Sequence, residues 1–106
     1  MKLYVDMTGK QVQVSKDPEP KTDQHGQPRV EKGTGRPMWS TQAIVLDESG
    51  GEVITITTAG EKPGVKVGML VTPVQLEAIP WATNGRNGVA FRAIELKTVS
   101  GSTASK

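Results

Sequence analysis

No window of this sequence repeats apolar residues at i, i+3, i+4 and i+7, the spacing that gives a helix a core-facing stripe. Apolar residues instead alternate with polar ones over short runs. Twelve Val, eleven Thr and five Ile stand against five Leu, and twelve Gly and seven Pro punctuate the chain. Side chains branched at Cβ fit a pleated, half-buried surface, while Gly and Pro supply turns. The pattern therefore predicts an all-β chain of short strands. Its 106 residues are one domain's worth, enough for a single thin core.

Five strands are expected. The first joins Leu3–Val5 to Val12–Val14 through a bend or bulge near Gly9. Residues 16–37 carry no periodicity and read as a long loop rich in Pro and Gly, in which Val30 is placed to anchor a small hairpin. Met38–Leu46 is a second strand, with Trp39, Thr41, Ala43 and Val45 on one face. After the turn at Glu48-Ser49-Gly50-Gly51, residues 52–58 return with Ile54 and Ile56 alternating against Thr55 and Thr57. This is the clearest hairpin in the chain. Residues 65–76 form a fourth strand, interrupted at Gly68 and Pro73. A proline there lacks an N–H and points to an edge or a bulge. Residues 77–88 read as a second loop, and Val89–Leu96 as the fifth strand. Residues 1–99 thus make one domain, and the polar run 100–106 is expected to be a disordered tail. Five antiparallel-compatible strands with a bent first one predict a Greek-key barrel of the OB type. An SH3-like barrel and a small sandwich share the strand count.

Several functions are excluded by what the chain lacks. Without cysteine there is no disulfide, thiol nucleophile or thiolate zinc site. One histidine, His25, is too few for a histidine metal cluster. No apolar run has the length of a membrane-spanning helix, and Met1–Asp6 lacks the apolar stretch of a signal peptide, so a cytoplasmic location without membrane contact is expected. The net charge is +2, but residues 41–61 hold four acids and no base. A mildly basic protein with an acidic middle permits a nucleic-acid groove without demanding one.

From residue 38 onward the order of features resembles an OB-fold single-stranded-DNA-binding domain. The resemblance rests on Met38–Leu46, Glu52–Thr57, the turn Lys62-Pro63-Gly64-Val65-Lys66-Val67-Gly68, Trp81 in a glycine-bearing hairpin, and the closing strand. Over nearly its whole length the chain is also similar to small accessory or regulatory proteins of actinobacterial mobile elements and phages. That similarity lies in Pro18-Glu19-Pro20, Thr34–Trp39, Pro80-Trp81 and Gly88–Ala93. These resemblances imply a binding protein that works in replication, transfer or recombination.

Candidate catalytic groupings are weak. Asp47, Glu48 and Glu52 adjoin across a turn and could share a metal, but a solvated acidic turn has the same appearance. Gly33-Thr34-Gly35-Arg36 lacks the spacing and the Lys-Ser/Thr ending of a phosphate loop. His25 sits in a flexible loop, away from any Ser-His-Asp order. No enzyme activity and no cofactor are expected.

Binding rests on aromatics and bases, because single-strand binders stack bases on rings and track phosphates with Lys and Arg. Tyr4, Trp39, Trp81 and Phe91 are the whole aromatic supply. Phe91, in an apolar strand, reads as core. Trp39 suits either the core or a binding face. Trp81, in a loop beside Pro80, needs a partner: a base, a second subunit or the barrel wall. Arg29, Lys32 and Arg36 lie on the first long loop, Arg86 on the last hairpin and Arg92 beyond it. In an OB fold these two loops flank the ligand face. The expected site is therefore Arg29, Lys32, Arg36, Trp39, Trp81, Arg86 and Arg92, and the expected partner is single-stranded DNA read with low sequence preference. A replication or recombination protein, or a second copy paired through a strand edge, is a further partner open to such a chain. The alternative is a protein-interaction or transcription-regulatory module that uses the long loop or an edge strand.

Overall fold

The computed structural model describes residues 3–99 of the chain, and the tail expected at 100–106 lies outside the described residues. The strands are β1 (Leu3–Tyr4), β2 (Gln11–Val14), β3 (Glu19–Pro20), β4 (Met38–Asp47), β5 (Gly50–Ala59), β6 (Leu70–Val74), β7 (Glu77–Thr83), β8 (Arg86–Arg92) and β9 (Glu95–Thr98). The described residues contain no helix, and none is long and apolar enough to cross a membrane. One sheet runs β1-β7-β8-β5-β4-β2-β6-β9, with β3 attached to β4. It curls on itself, so that one face becomes the inside.

Alternation decides which face that is. Thr41 and Ala43 of β4 stand opposite Ile56 and Ile54 of β5, and all four are buried. Val12 and Val14 of β2, Val71 of β6, Leu96 of β9, and Val65, Leu76 and Ala93 from the connections fill the same core. Phe91 packs against it, as expected for a large ring in a small interior. The opposite face of β5 presents Val53 and Thr55 to solvent.

Four expectations are corrected. The bent first strand is two strands in different places: β1 pairs β7, while β2 lies between β4 and β6. Asp6 accepts the Thr8 N–H, the Lys10 N–H bonds back to Met7, and Gly9 takes a left-handed φ of 75°, so the chain turns fully rather than bulging. The loop expected over 77–88 is mostly strand. Asn84 and Gly85 both have positive φ, the signature of a tight primed turn, and they join β7 and β8 in register from Glu77↔Arg92 to Thr83↔Arg86. Pro80 is tolerated there because β1 covers β7 only at Glu77 and Ala78. The expected last strand divides at Ala93-Ile94: the Ala93 N–H reaches Thr57 and the Ile94 N–H reaches Val74, so the backbone changes partners between β8 and β9. Finally, the pairing is not wholly antiparallel, since β8 runs parallel to β5 at Ile56↔Phe91 and Thr57↔Arg92.

The 16–37 segment is folded as well. It forms two small reversals stacked on the start of β4. One is tied by Lys21–Arg29 backbone bonding and a Thr22↔Pro28 bridge, the other by Glu31–Arg36 bonding and the Val30↔Pro37 bridge. Pro73 lies within β6 where pairing to β2 has already stopped at Val71, leaving β9 as its neighbour.

Candidate functional site

β5 is paired to β4 along its length but meets β8 only at Ile56 and Thr57. From Gly50 to Thr55 its other edge has no strand partner among the described residues. There the β7–β8 ribbon parts from β5 and leaves an open groove of about 550 Å³. Val53, Thr55 and Thr57 form one side, Trp81, Val89 and Phe91 the other, and Lys21 reaches in at the Thr57 end.

Trp81 is 43% exposed. Its cross-strand partner is Gly88, and a Cβ at that position would lie 2.8 Å from the indole ring. The missing side chain is what lets the ring lie down on the ribbon, an arrangement that steadies an exposed aromatic. A ring held in this way, with one part open to the groove, has a free π-face of the kind on which a planar group stacks.

Lys21 arrives by a different route. Pairing of Pro20 with Trp39 and a 2.9 Å bond from the Lys21 N–H to the Met38 carbonyl fix its backbone beside β4. Its Nζ then crosses to donate to Thr57 Oγ1 at 2.8 Å. Burial, together with the positive charges of Arg29 and Arg92, lowers its pKa from the usual 10.5.

Glu31 gathers the loop's cations. Its carboxylate accepts from Arg36 Nη2 at 2.9 Å and Thr34 Oγ1 at 2.7 Å, and it also pairs with Arg92. Arg36 and Arg92 are thus brought together, but with their charge partly matched. Arg29 is exposed on the loop next to Lys21, Lys32 is exposed at the tip of the second reversal, and Arg86 is exposed at the end of the ribbon. Trp39 is half-buried, and its Nε1–H donates to the Gly60 carbonyl at 2.9 Å. That bond pins it to the base of the loop, outside the groove lining. Of the expected site residues, Trp81 alone lines the groove.

Sequence reasoning missed Lys21, Glu31 and the outer face of β5. The β5 residues had a signal, because Val53, Thr55 and Thr57 alternate with the buried isoleucines. Lys21 had none, since it acts through Thr57, remote in sequence, and the pairing of Glu31 with Arg92 is equally remote.

The weaker groupings dissolve. Asp47 is occupied by Lys10 Nζ at 3.0 Å and the Ser49 N–H at 2.7 Å, contacts that lower its carboxyl pKa below the usual value. No group of three His, Cys, Asp or Glu among the described residues is placed to hold a metal ion. His25 lies in an exposed turn, where its backbone N–H donates to Asp23 Oδ1 at 2.8 Å. The glycine-rich stretch is the tip of the second reversal.

Fold and groove together define a small curled β domain in which a tryptophan and a lysine line one groove beside a half-unpaired strand. No protein-family model, curated protein or solved structure matches the chain.

Proposed function

We propose that this chain binds single-stranded DNA along the groove between β5 and the β7–β8 ribbon, with little sequence preference, in replication, transfer or recombination of a phage or mobile element. The observation that carries the proposal is that a half-exposed Trp81 and Lys21 line one groove along the open side of β5. Bases stack on the ring, and phosphates pass the cations at the Thr57 end. Stacking is tolerant of sequence because every base has a π-face.

Strand pairing supports an OB-like reading of the barrel. β2 lies between β4 and β6, and β4 pairs β5. The run β8–β9, taken as one strand kinked at Ala93-Ile94, joins β5 to β6. That circuit has five members, with 15–37 and the β7–β8 ribbon in the places of the two loops that flank the ligand face of OB folds.

A titration of intrinsic Trp fluorescence with oligo(dT), at low and moderate salt, tests the proposal. Quenching that weakens with salt is expected for the wild type and for Trp39→Phe. Trp81→Ala should lose it and bind more weakly by roughly 1–3 kcal/mol, the worth of one stacked base. Absence of quenching at low salt from a folded protein refutes the reading. The unpaired Gly50–Thr55 edge would then favour the second reading, in which an extended peptide adds to β5 as a strand.

A further inference from the structure

The groove does not end at Glu52. It adjoins a second hollow of about 410 Å³ at the end of the barrel, and the two share Glu52, Ile54 and Phe91 as walls. Both lie along the stretch of β5 that has no strand neighbour on its β8 side. Inside, Val5, Met7, Val45, Ile54, Leu76 and Phe91 make an apolar lining. Lys10 and Asp47 stand at its mouth, joined to each other at 3.0 Å, and so does Glu52.

Glu52 is placed there by register. It stands opposite Val45 and shares the alternation of Ile54 and Ile56, so it continues the core-facing side of β5 to the point where the barrel opens. Asp47 already has Lys10 and the Ser49 N–H. Glu52 has no ion-pair or hydrogen-bond partner among the described residues. An unmatched carboxylate beside a path for a polyanion opposes phosphate binding unless something on the ligand donates to it. On a nucleic acid the donors are base N–H groups, chiefly exocyclic amines.

We propose that the barrel-end hollow receives one unstacked base of the bound strand, and that Glu52 selects a base carrying an amino group over thymine. This rests on the single-strand reading of the groove. A base is flat and apolar on its faces and polar at its edge, which matches apolar walls with a carboxylate at the rim. Turning one base out of a single strand costs less than extracting it from a duplex. Splayed bases held between apolar and aromatic walls, and read at their edges, are the usual means of single-strand recognition. Cytosine, adenine and guanine each offer the required amine, whereas the one edge donor of thymine, its N3–H, lies between two carbonyl oxygens that a carboxylate repels.

The test compares oligo(dT) with the same oligomer carrying one central dC or dG. Binding is read by Trp fluorescence for the wild type and for Glu52→Gln, with folding of both checked by thermal melting. The wild type is expected to prefer the amine-bearing oligomers by about fivefold or more, the low end of one good base contact. Glu52→Gln should bind oligo(dT) at least as well and lose most of that preference. Equal wild-type affinity for all oligomers overturns the proposal while leaving the groove reading intact. So does a uniform tightening in Glu52→Gln, which would mark Glu52 as a carboxylate that merely repels phosphate. Failure of every oligomer to bind overturns both.

Discussion

Lys21 is the residue at which folding and the proposed binding meet. Its ammonium group gives up part of its hydration to reach Thr57, and the neighbouring Arg29 and Arg92 make that position more costly for a cation. The folded-state pKa is therefore below the unfolded one, so folding stability rises with pH across the window between the lowered value and 10.5. Ligand binding runs the other way. A phosphate beside Lys21 favours its charged form, so affinity for oligo(dT) is expected to fall as pH rises, beginning below 10.5. Lys21→Met should flatten that alkaline limb in fluorescence titrations, and an unchanged limb would show that Lys21 does not meet phosphate. Trp81 and Trp39 divide at the same scale. One indole lies over a glycine and faces the groove, while the other spends its N–H on Gly60.

At the scale of elements, the β4–β5 hairpin and the β7–β8 ribbon make a contrast. β4 and β5 share ten registered pairs and carry buried residues from both strands. The ribbon is exposed from Ile79 to Asn87 and is anchored to the core mainly through Phe91. Amide exchange is expected to be slowest at Thr41–Ala43 and Ile54–Ile56 and much faster at Trp81–Gly88, as local opening needs less buried surface. Protection of the ribbon equal to that of β4 would mean that it is part of the rigid core. The same contrast explains what was readable in advance. The β4–β5 hairpin announces itself through Ile54 and Ile56 alternating with Thr55 and Thr57 and through the turn signal at Glu48–Gly51, although the structure takes Gly50 and Gly51 into β5. β7 and β8 are masked by Pro80 and by the glycines at 85 and 88, which read as loop although Asn84-Gly85 is a tight turn between strands. The two reversals of 16–37 are tied locally, but they are docked on the barrel by remote contacts: Lys21 to Thr57, Glu31 to Arg92, and Asp17 accepting the Val67 N–H at 2.9 Å. Contacts over such separations leave no local periodicity. The break at Ala93-Ile94 was hidden for the same reason, because it reflects a change of neighbours rather than of residue type.

Across the whole molecule, charge is arranged along the groove rather than summed over the surface. Thr57, Lys21 and Arg92 gather on the outer face at one end of β5, while Glu52 and Asp47 stand on the core-facing side at the other end. Five residues of strand separate Glu52 from Thr57, about 17 Å at the usual rise. On the proposed single-strand reading, phosphates are drawn to the first end and base edges are left for the second. Because Glu31 already matches part of the charge of Arg36 and Arg92, few cations are free to release counterions, so the salt dependence of binding should be shallow. Amide shift mapping with oligo(dT) at low salt tests the assignment of the groove most directly. Perturbations are expected to be concentrated in Val53–Thr57 and Trp81–Phe91, with Lys21 moving alongside them. Shifts confined to the outer surface of 22–37 or to β9, or none at all, would contradict it.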